Sequence, residues 1–468
     1  MVEGGKKRAQ RAYFNLTVVA LAVLIAGPAW SHGYQLPGGA AAYDDPVIAA
    51  GFRALFTCSA HFAMHRPLAD ILRVELADTR TLELPIPVID EARRLVRAAD
   101  GRGYTSIAAY RDTMGCTLVP PHWQEADVAR LPYVNRELPT HDPNVDFPLG
   151  DRVTTLLDTA QTRLLERAFD GHSYGGGNLT VGVVIVRDGK IVAERYRPGF
   201  GIHQGYRTWS TAKSISATLI AIATSQGLMN LDAPITIPEW QGPADPRRAI
   251  TPRDLLAMSS GLWSEGSNTN AMYFAGQDVI SAATTTHLEA EPGVRWKYAN
   301  NDTLLLLRAL RHALADDLRY LRYPYDELFH RIGMYNTWME TDHLGNFIGS
   351  SQVYTTARDL ARFGLLYLND GVWNGERLLP EGWTSFVARP APSLPAREGR
   401  RGYGAQFWLL DQLEGVPPGT YTSSGNKGQL ATIVPTQNMV VVRTGVNPQG
   451  VRWRQAAFLV DVIKAFGD

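Results

Sequence analysis

The order of the predicted helices and strands along the 468 residues indicates an α+β fold built on an antiparallel β-sheet. Strands rich in β-branched residues occur near both ends of the larger part of the chain. The predicted order is a helix and two strands at 152–169, 178–187 and 191–196, then two strands and a helix at 430–434, 439–443 and 452–466. The residues between these groups are largely helical in pattern. Because strands and helices are segregated and do not alternate, we expect an antiparallel sheet flanked by N- and C-terminal helices with a helical insert, and not a βαβ repeat.

The chain opens with a segment typical of exported proteins. Four basic residues between Lys6 and Arg11 precede an apolar run over 18–29, and Ala29-Trp30-Ser31 matches a small-x-small cleavage site. We expect residues 1–32 to be a signal peptide or, if uncleaved, a membrane anchor. The rest of the chain is then expected in the periplasm or another extracytoplasmic compartment, free or held at the inner membrane.

Residues 33–145 are predicted to form an accessory N-terminal region. Its pattern is largely helical over 44–82. Extended segments at 94–99 and 106–119 follow, and they flank Asp100-Gly101, a dipeptide that favours a tight turn. The sequence suggests no function for this region.

Both cysteines of the chain, Cys58 and Cys116, fall in the accessory region. An exported chain favours a disulfide between them, and two separate buried thiols are the alternative. The stretch 132–151 is rich in proline, asparagine and aspartate, so we interpret it as a linker. Residues 146–468 would then form the second, larger domain.

One serine motif in the larger domain is interpreted as non-catalytic. Gly171-His172-Ser173-Tyr174-Gly175 matches G-x-S-x-G, the nucleophile elbow of α/β-hydrolases. That elbow requires a strand before it and a helix after it. Here a predicted helix precedes the motif, and the glycines Gly175–Gly177 lead into a strand. We therefore predict a glycine-rich connection at this position.

Composition excludes several classes of partner. Lysine plus arginine and aspartate plus glutamate each number 46, and no long basic run occurs beyond the N-terminus, so nucleic acid is not expected as a partner. The eleven histidines are scattered and H-E-x-x-H is absent from the sequence, so neither a metal nor an organic cofactor is expected. The expected partner is a small molecule.

The strongest chemical signal lies at the start of a predicted helix, in YRTWSTAKSISATLIAIATSQGLMNL over 206–231. Ser210 and Lys213 stand three residues apart and share a helix face, so the amine can reach the hydroxyl. A serine placed in this way can act as a nucleophile. The alternatives are a helix N-cap at Ser210 with a solvated lysine, and chance, because Ser424 and Lys427 have the same spacing.

A second element, Tyr298-Ala299-Asn300, precedes an apolar run at 304–307. A phenol beside a lysine can move a proton: a cationic Lys213 would favour the tyrosinate form of Tyr298, which could take the Ser210 proton and pass it to the leaving group. The Asn300 amide could donate to a substrate carbonyl or orient Lys213. The alternative is a loop tyrosine packed at a helix start.

A third element, Ser423-Ser424-Gly425-Asn426-Lys427-Gly428-Gln429, leads into the strand at 430–434. A strand edge containing glycine allows a substrate to approach the backbone closely. Acyl transfer needs two N–H donors for the oxyanion, and the Ser210 N–H and one N–H of this strand could supply them. The alternative is a simple turn before a strand.

Taken together, these elements resemble the serine β-lactamase and penicillin-binding-protein superfamily, above all its class C branch with the related esterases and 6-aminohexanoate-dimer hydrolases. Three further strings are similar to that family: 254–262, Pro292-Gly293 before the tyrosine, and 357–364. The resemblance covers about residue 150 to the end. It implies a β-lactamase/transpeptidase-like fold in which an all-helical subdomain holds Tyr298.

The resemblance also implies a role for each residue. Ser210 would be the acylated nucleophile, Lys213 its activating partner and Tyr298 the proton shuttle. Asn300, with Ser424 and Gly425 of the third element, would lie against the substrate. The second oxyanion donor would be the N–H of Asn426.

The third element departs from the family pattern. Its first residue is usually lysine or histidine, which holds a β-lactam or peptide carboxylate, whereas this chain has Ser423. Efficient β-lactam hydrolysis is therefore not expected. Lys427 is a candidate for a displaced positive charge.

The sequence thus predicts an exported serine hydrolase that cleaves an ester or amide through an acyl-enzyme on Ser210. The alternative is a cell-envelope binding or regulatory protein that keeps the fold without efficient turnover. Specificity is expected to depend on loops such as 263–277.

Overall fold

The computed structural model describes residues 45–77, 84–264 and 270–467, which all belong to one compact unit. The predicted signal peptide or anchor at residues 1–32 lies outside these ranges, as do residues 78–83 of the stretch predicted to be helical. Within the described ranges, no helix is both long enough and apolar enough to cross a bilayer.

The described residues contain twelve α-helices and sixteen β-strands. The α-helices are α1 (Pro46–Cys58), α2 (Leu68–Asp70), α3 (Thr159–Phe169), α4 (Thr211–Ser225), α5 (Pro252–Leu256), α6 (Asn270–Phe274), α7 (Val279–Thr284), α8 (Asn300–Leu314), α9 (Asp317–Pro324), α10 (Ala357–Leu368), α11 (Trp383–Val387) and α12 (Gln455–Phe466). The strands are β1 (Val88–Asp90), β2 (Leu95–Ala99), β3 (Thr105–Arg111), β4 (Gly115–Leu118), β5 (Thr180–Arg187), β6 (Lys190–Tyr196), β7 (Tyr206–Arg207), β8 (Trp338–Met339), β9 (Val353–Thr355), β10 (Val372–Trp373), β11 (Glu376–Arg377), β12 (Gly402–Tyr403), β13 (Trp408–Leu409), β14 (Tyr421–Gly425), β15 (Gln429–Val434) and β16 (Met439–Gly445).

The main sheet has seven strands in the order β12-β13-β14-β15-β16-β5-β6. Every neighbouring pair is antiparallel, and β16 pairs with β5, which joins the last strand of the chain to the first strand of the larger part. Strand β15 is buried along its whole length because α10 and α4 pack on one face of it, and on the other face Val434 joins the core formed with α12. This arrangement confirms the predicted fold class.

Helices cover both faces of the sheet. The N-terminal helix α3 and the C-terminal helix α12 pack together, and their apolar residues form a core with strands β5 and β16. The other face is covered by α10 and by α4, the helix that carries the predicted lysine. Because α4 is buried along its first thirteen residues, its orientation is fixed by packing on all sides.

The insert between β6 and β14 is more varied than predicted. Residues 226–337 hold helices α5–α9, which agrees with the predicted helical subdomain. An isolated β-bridge joins Leu262 and Leu288 within this range. The description of the rest of the insert as largely helical was wrong, because β7, β9 and β8 form a separate three-stranded sheet and β10 pairs with β11. Strands of two or three residues are too short to show an alternating pattern.

Several predicted boundaries also move. Helix α3 begins at Thr159 and not near Arg152, because Asp158 accepts a hydrogen bond from the Gln161 N–H and forms a capping box. The predicted extended segment at 106–119 is a hairpin that turns between β3 and β4. The stretch interpreted as a linker, 132–151, contains no strand or helix of its own.

The N-terminal residues pack on the larger part of the chain through α1 and β4. Cys58 at the end of α1 and Cys116 in β4 form a disulfide with their α-carbons 6.1 Å apart. Beside it, buried Glu340 accepts hydrogen bonds from the Ser59 hydroxyl at 2.7 Å and the Cys116 N–H at 2.8 Å. Burial raises the pKa of Glu340 to about 7. The disulfide therefore lies directly against the residue that follows β8.

Candidate active site

Ser210 lies in a strained turn between β7 and α4. The preceding residue, Trp209, has φ of +51°, a left-handed conformation that is uncommon for a bulky side chain. Ser210 occupies the N-cap position of α4, yet its side chain makes no capping hydrogen bond. The hydroxyl is therefore available for other contacts, and the side chain is half-buried and reaches solvent. The interpretation of Ser210 as an ordinary helix cap was wrong.

Lys213 points its amine at this hydroxyl from one turn further along α4. Its Nζ donates to Ser210 Oγ at 3.3 Å, to Asn300 Oδ1 at 2.5 Å and to the Ser350 carbonyl at 2.8 Å. The side chain is 1% exposed, and burial lowers its pKa to about 7. At neutral pH a substantial fraction of the amine is therefore unprotonated and able to accept a proton.

Tyr298 approaches the same hydroxyl from the loop before α8. Its ring centre lies 5.0 Å from Lys213 Nζ, and the Ser210 side chain is close enough to act on the pKa of the phenol, which it lowers. Burial nonetheless raises the pKa of Tyr298 to about 12. The environment of Tyr298 therefore does not favour the expected tyrosinate. The phenol keeps its proton at neutral pH. The group that loses a proton readily is Lys213.

Asn300 is the first residue of α8 and is buried. Its side-chain oxygen accepts a hydrogen bond from Lys213 Nζ, which agrees with the expectation that it could orient the lysine. Asn300 Oδ1 therefore holds the Lys213 amine in position in this structure.

The third element also meets the turn around Ser210. A β-carbon at Gly425 would overlap the Thr208 carbonyl oxygen, two residues before Ser210. At the first residue of α4, the Thr211 hydroxyl donates to the Gln429 carbonyl at 3.1 Å. Ser424 and Gly425 are half-buried at the end of β14, and Asn426 next to them is exposed. The structure therefore brings all three sequence elements to one place.

A buried arginine fixes the turn that follows β14. Arg443 Nη1 donates to the Lys427 and Gly428 carbonyls at 3.2 and 2.9 Å, and Nη2 donates to Asn447 Oδ1 at 2.8 Å. Nothing in the sequence pattern marks this strand arginine as a support for the turn.

A buried, neutral residue occupies the position where the family pattern places a lysine or histidine. Ser423 is 0% exposed, and its hydroxyl makes no hydrogen bond to the residues that the structure describes. Lys427 lines a small cavity together with Glu75 of the N-terminal region. Burial raises the pKa of that carboxyl, and the charges of Arg66 and Lys427 offset part of the rise. Whether Lys427 replaces the missing charge stays a prediction.

Two residues at the site were missed by the sequence analysis. The Ser350 carbonyl binds Lys213, and the Tyr273 hydroxyl hydrogen bonds with Ser350 Oγ at 2.6 Å. Tyr273 lies in α6, inside the stretch 263–277 that was expected to govern specificity and of which residues 265–269 lie outside the described ranges. A backbone carbonyl has no sequence signature, so spacing arguments could not have found Ser350.

The turn that carries Ser210 is supported from the N-terminal region. The ring of Phe56 in α1 lies 5.6 Å from the ring of Trp209, and the Arg207 guanidinium lies over both rings at 4.7 and 4.3 Å. The positive φ of Trp209 is therefore held by packing around its side chain.

The second serine motif plays no part in this site. Ser173 lies in an exposed turn between α3 and β5, and its hydroxyl donates to Asp170 at 2.5 Å. This agrees with the prediction of a connection. Within the described ranges, no three His, Cys, Asp or Glu side chains cluster as metal ligands would.

Comparison with known proteins agrees with this geometry. The sequence profile of the Beta-lactamase family matches residues 165–451, which is more than half of the chain and includes every site residue named above. The chain belongs to the beta-lactamase family. The resemblance inferred from the motifs is thereby confirmed, and this beta-lactamase-family chain is a serine hydrolase by fold and family.

Individual relatives of this beta-lactamase-family chain are distant. A 6-aminohexanoate-dimer hydrolase from Paenarthrobacter ureafaciens is 23% identical over 352 residues, 67% of this chain and 83% of the relative. Among solved structures, a Bacillus anthracis protein provisionally named 6-aminohexanoate-dimer hydrolase aligns with a TM-score of 0.56 at 22% identity, covering 69% of this chain and 88% of that one. The hydrolase EstCE1 aligns at 0.51 and 15% identity, covering 66% and 98%. These structural likenesses establish the shared fold.

Proposed function

We propose that this chain is an exported serine hydrolase that cleaves a small ester or amide through an acyl-enzyme on Ser210. The observation that carries the proposal is the hydrogen bond from Lys213 Nζ to Ser210 Oγ, made by a buried amine whose pKa is lowered to about 7. A base that titrates near neutral pH is well matched to removing a hydroxyl proton at that pH.

In the proposed reaction, neutral Lys213 takes the Ser210 proton as Oγ attacks the substrate carbonyl carbon. The Ser210 and Asn426 N–H groups donate to the oxygen that becomes negative. Tyr298 gives its phenolic proton to the departing alcohol or amine, and protonated Lys213 returns a proton to Tyr298 through water. A water molecule then attacks the acyl carbon and gives a proton to neutral Lys213. The bond from that carbon to Ser210 Oγ breaks, Oγ takes the proton from Lys213, and the acid fragment leaves.

Two relatives support the substrate class. One is named for hydrolysis of a 6-aminohexanoate dimer and another is a hydrolase with promiscuous acyltransferase activity. The first name gives hydrolysis of a small molecule, and the second adds transfer of an acyl group, which an acyl-enzyme would allow. Efficient β-lactam hydrolysis is not part of the proposal, because the buried Ser423 offers no cation.

Covalent labelling tests the nucleophile. We expect a fluorophosphonate probe to label the wild type and Ser173→Ala, the matched control in the exposed serine motif, but not Ser210→Ala. A fluorescent penicillin should label the wild type far more weakly than the fluorophosphonate does. Labelling of Ser210→Ala equal to that of the wild type would remove Ser210 from its role. A wild type that neither labels nor turns over esters would instead favour the binding or regulatory alternative.

Export is supported by the basic and apolar residues at 6–29 and by the disulfide between Cys58 and Cys116. We expect protein expressed at full length in a bacterial host to be recovered outside the cytoplasm without a titratable thiol until it is reduced. Two reactive thiols in the unreduced, exported protein would contradict the disulfide, and accumulation in the cytoplasm would contradict export.

A further inference from the structure

Arg401 presents a charged group at the edge of the candidate active site. It immediately precedes β12, and part of its side chain is exposed to solvent. Burial of the guanidinium among neighbouring groups lowers its pKa to about 10, so it stays charged at neutral pH. Its guanidinium carbon lies 4.7 Å above the ring of Trp408 in β13. Among the residues that the structure describes, no carboxylate pairs with it. Stacking on a tryptophan holds the plane of the guanidinium while its N–H groups stay available for a ligand.

The stacked arginine is connected to the proposed proton donor by a cluster of aromatic rings. The ring of Trp408 lies 5.7 Å from that of Tyr298, and Tyr403 packs edge-on against both, at 4.9 and 5.9 Å. The positive charge of Arg401 also acts to lower the pKa of Tyr298 against the effect of burial. Arg401 therefore lies on the Tyr298 side of Ser210.

The Tyr298 side is where the leaving group is expected in the proposed reaction, because Tyr298 protonates the departing atom. The position where the family pattern places a lysine or histidine does not supply a cation, since Ser423 is neutral and buried. Lys427, the other candidate, shares its cavity with the carboxyl of Glu75. Besides Lys213, which is assigned to Ser210, Arg401 is a cation near Tyr298 without a carboxylate partner among the described residues.

Resting on the serine hydrolase function proposed above, we propose that the leaving group of the physiological substrate carries a carboxylate and that Arg401, stacked on Trp408, binds it. A guanidinium offers two parallel N–H donors that match the two oxygens of a carboxylate. Its charge would also favour an anionic ester over a neutral one of the same shape.

The test uses two butanoate esters with the same acyl group. One has a 3-carboxyphenyl leaving group and the other has the neutral isostere, 3-carbamoylphenyl. In the full-length protein, Arg401→Gln should lower kcat/KM for the anionic ester by about 10- to 100-fold, the range expected from loss of a hydrogen bond to a charged group, and change the value for the neutral ester by less than about 3-fold. Arg401→Lys should restore part of the preference, since it keeps the charge without the planar fork.

Arg400→Gln is the matched control, because it removes the neighbouring exposed arginine of the same loop. It should leave the preference between the esters unchanged, and Lys427→Ala should do the same. Equal losses for both esters in Arg401→Gln, or loss of the preference only in Lys427→Ala, would overturn the assignment of Arg401. Those results are distinct from failure of the proposed function, in which the wild type would hydrolyse neither ester through Ser210.

Discussion

Lys213→Met is expected to lower kcat/KM for an ester substrate by about 10²- to 10⁴-fold, the range typical for loss of a general base. Methionine keeps most of the volume of the side chain, which packs among buried residues of α4, but cannot accept the Ser210 proton. In the wild type, kcat/KM should rise as the pH increases through about 7, because the amine must be unprotonated to act and burial lowers its pKa to that value. The variant should lack this rise.

A control is needed because Asp302, two residues after Asn300, is also buried and has its pKa raised to about 7. Asp302→Asn should keep the inflection if it belongs to Lys213. An unchanged inflection in Lys213→Met would contradict the assignment of the base. Kinetic profiles over pH 5 to 9 on all three proteins decide between these results.

Stability provides a second measurement on the same variants. An unfolded lysine has a pKa of about 10.4, so between about pH 7 and 10 the unfolded chain binds more protons at this residue than the folded chain. The free energy of unfolding of the wild type should therefore increase, relative to that of Lys213→Met, as the pH rises through that window. Thermal melts at several pH values would show whether the amine is as buried as its contacts indicate.

Gly425→Ala is expected to reduce kcat/KM by about 10²- to 10³-fold, comparable with loss of one oxyanion donor. The backbone of Gly425 is extended, with φ of −118°, so alanine is not excluded by conformation. Its β-carbon would, however, overlap the Thr208 carbonyl oxygen, and two backbone segments would have to separate. That shift would move the Asn426 N–H away from Ser210.

The matched control is Gly201→Ala, because a β-carbon at Gly201 meets no atom within 4 Å. Both variants should unfold cooperatively, and only Gly425→Ala should lose activity. Wild-type kinetics in Gly425→Ala would mean that the end of β14 does not supply an oxyanion donor. Rates should be measured together with thermal melts, so that lost activity can be separated from lost folding.

The part of the site that could be predicted consists of side chains with a characteristic spacing along the sequence. Ser210 and Lys213 could be paired because one helical turn brings them together, and order along the chain added Tyr298 and Asn300. Protonation states were harder to predict, since the pKa of Lys213 depends on how completely α4 is enclosed by other elements. The inferred tyrosinate failed for that reason: burial acts on Tyr298 as well as on the lysine.

Backbone contacts and long-range packing were beyond the sequence. The Ser350 carbonyl binds Lys213 through an atom that every residue possesses. The β7-β9-β8 sheet pairs residues that lie more than a hundred positions apart, such as Tyr206 with Thr355. The main sheet was predictable because β5, β6, β15 and β16 are long enough to show their composition.

The packing of α1 affects how related sequences should be aligned with this chain and where a shorter recombinant fragment of it should begin. The family match begins at residue 165, whereas Phe56 lies far before it and packs on Trp209. Gly51 lies so close to the Phe274 carbonyl that any side chain there would collide with α6, next to Tyr273. An alignment restricted to the shared family segment therefore omits residues that pack around the candidate active site. A recombinant fragment cut at that boundary would expose aromatic rings that are otherwise shielded from water.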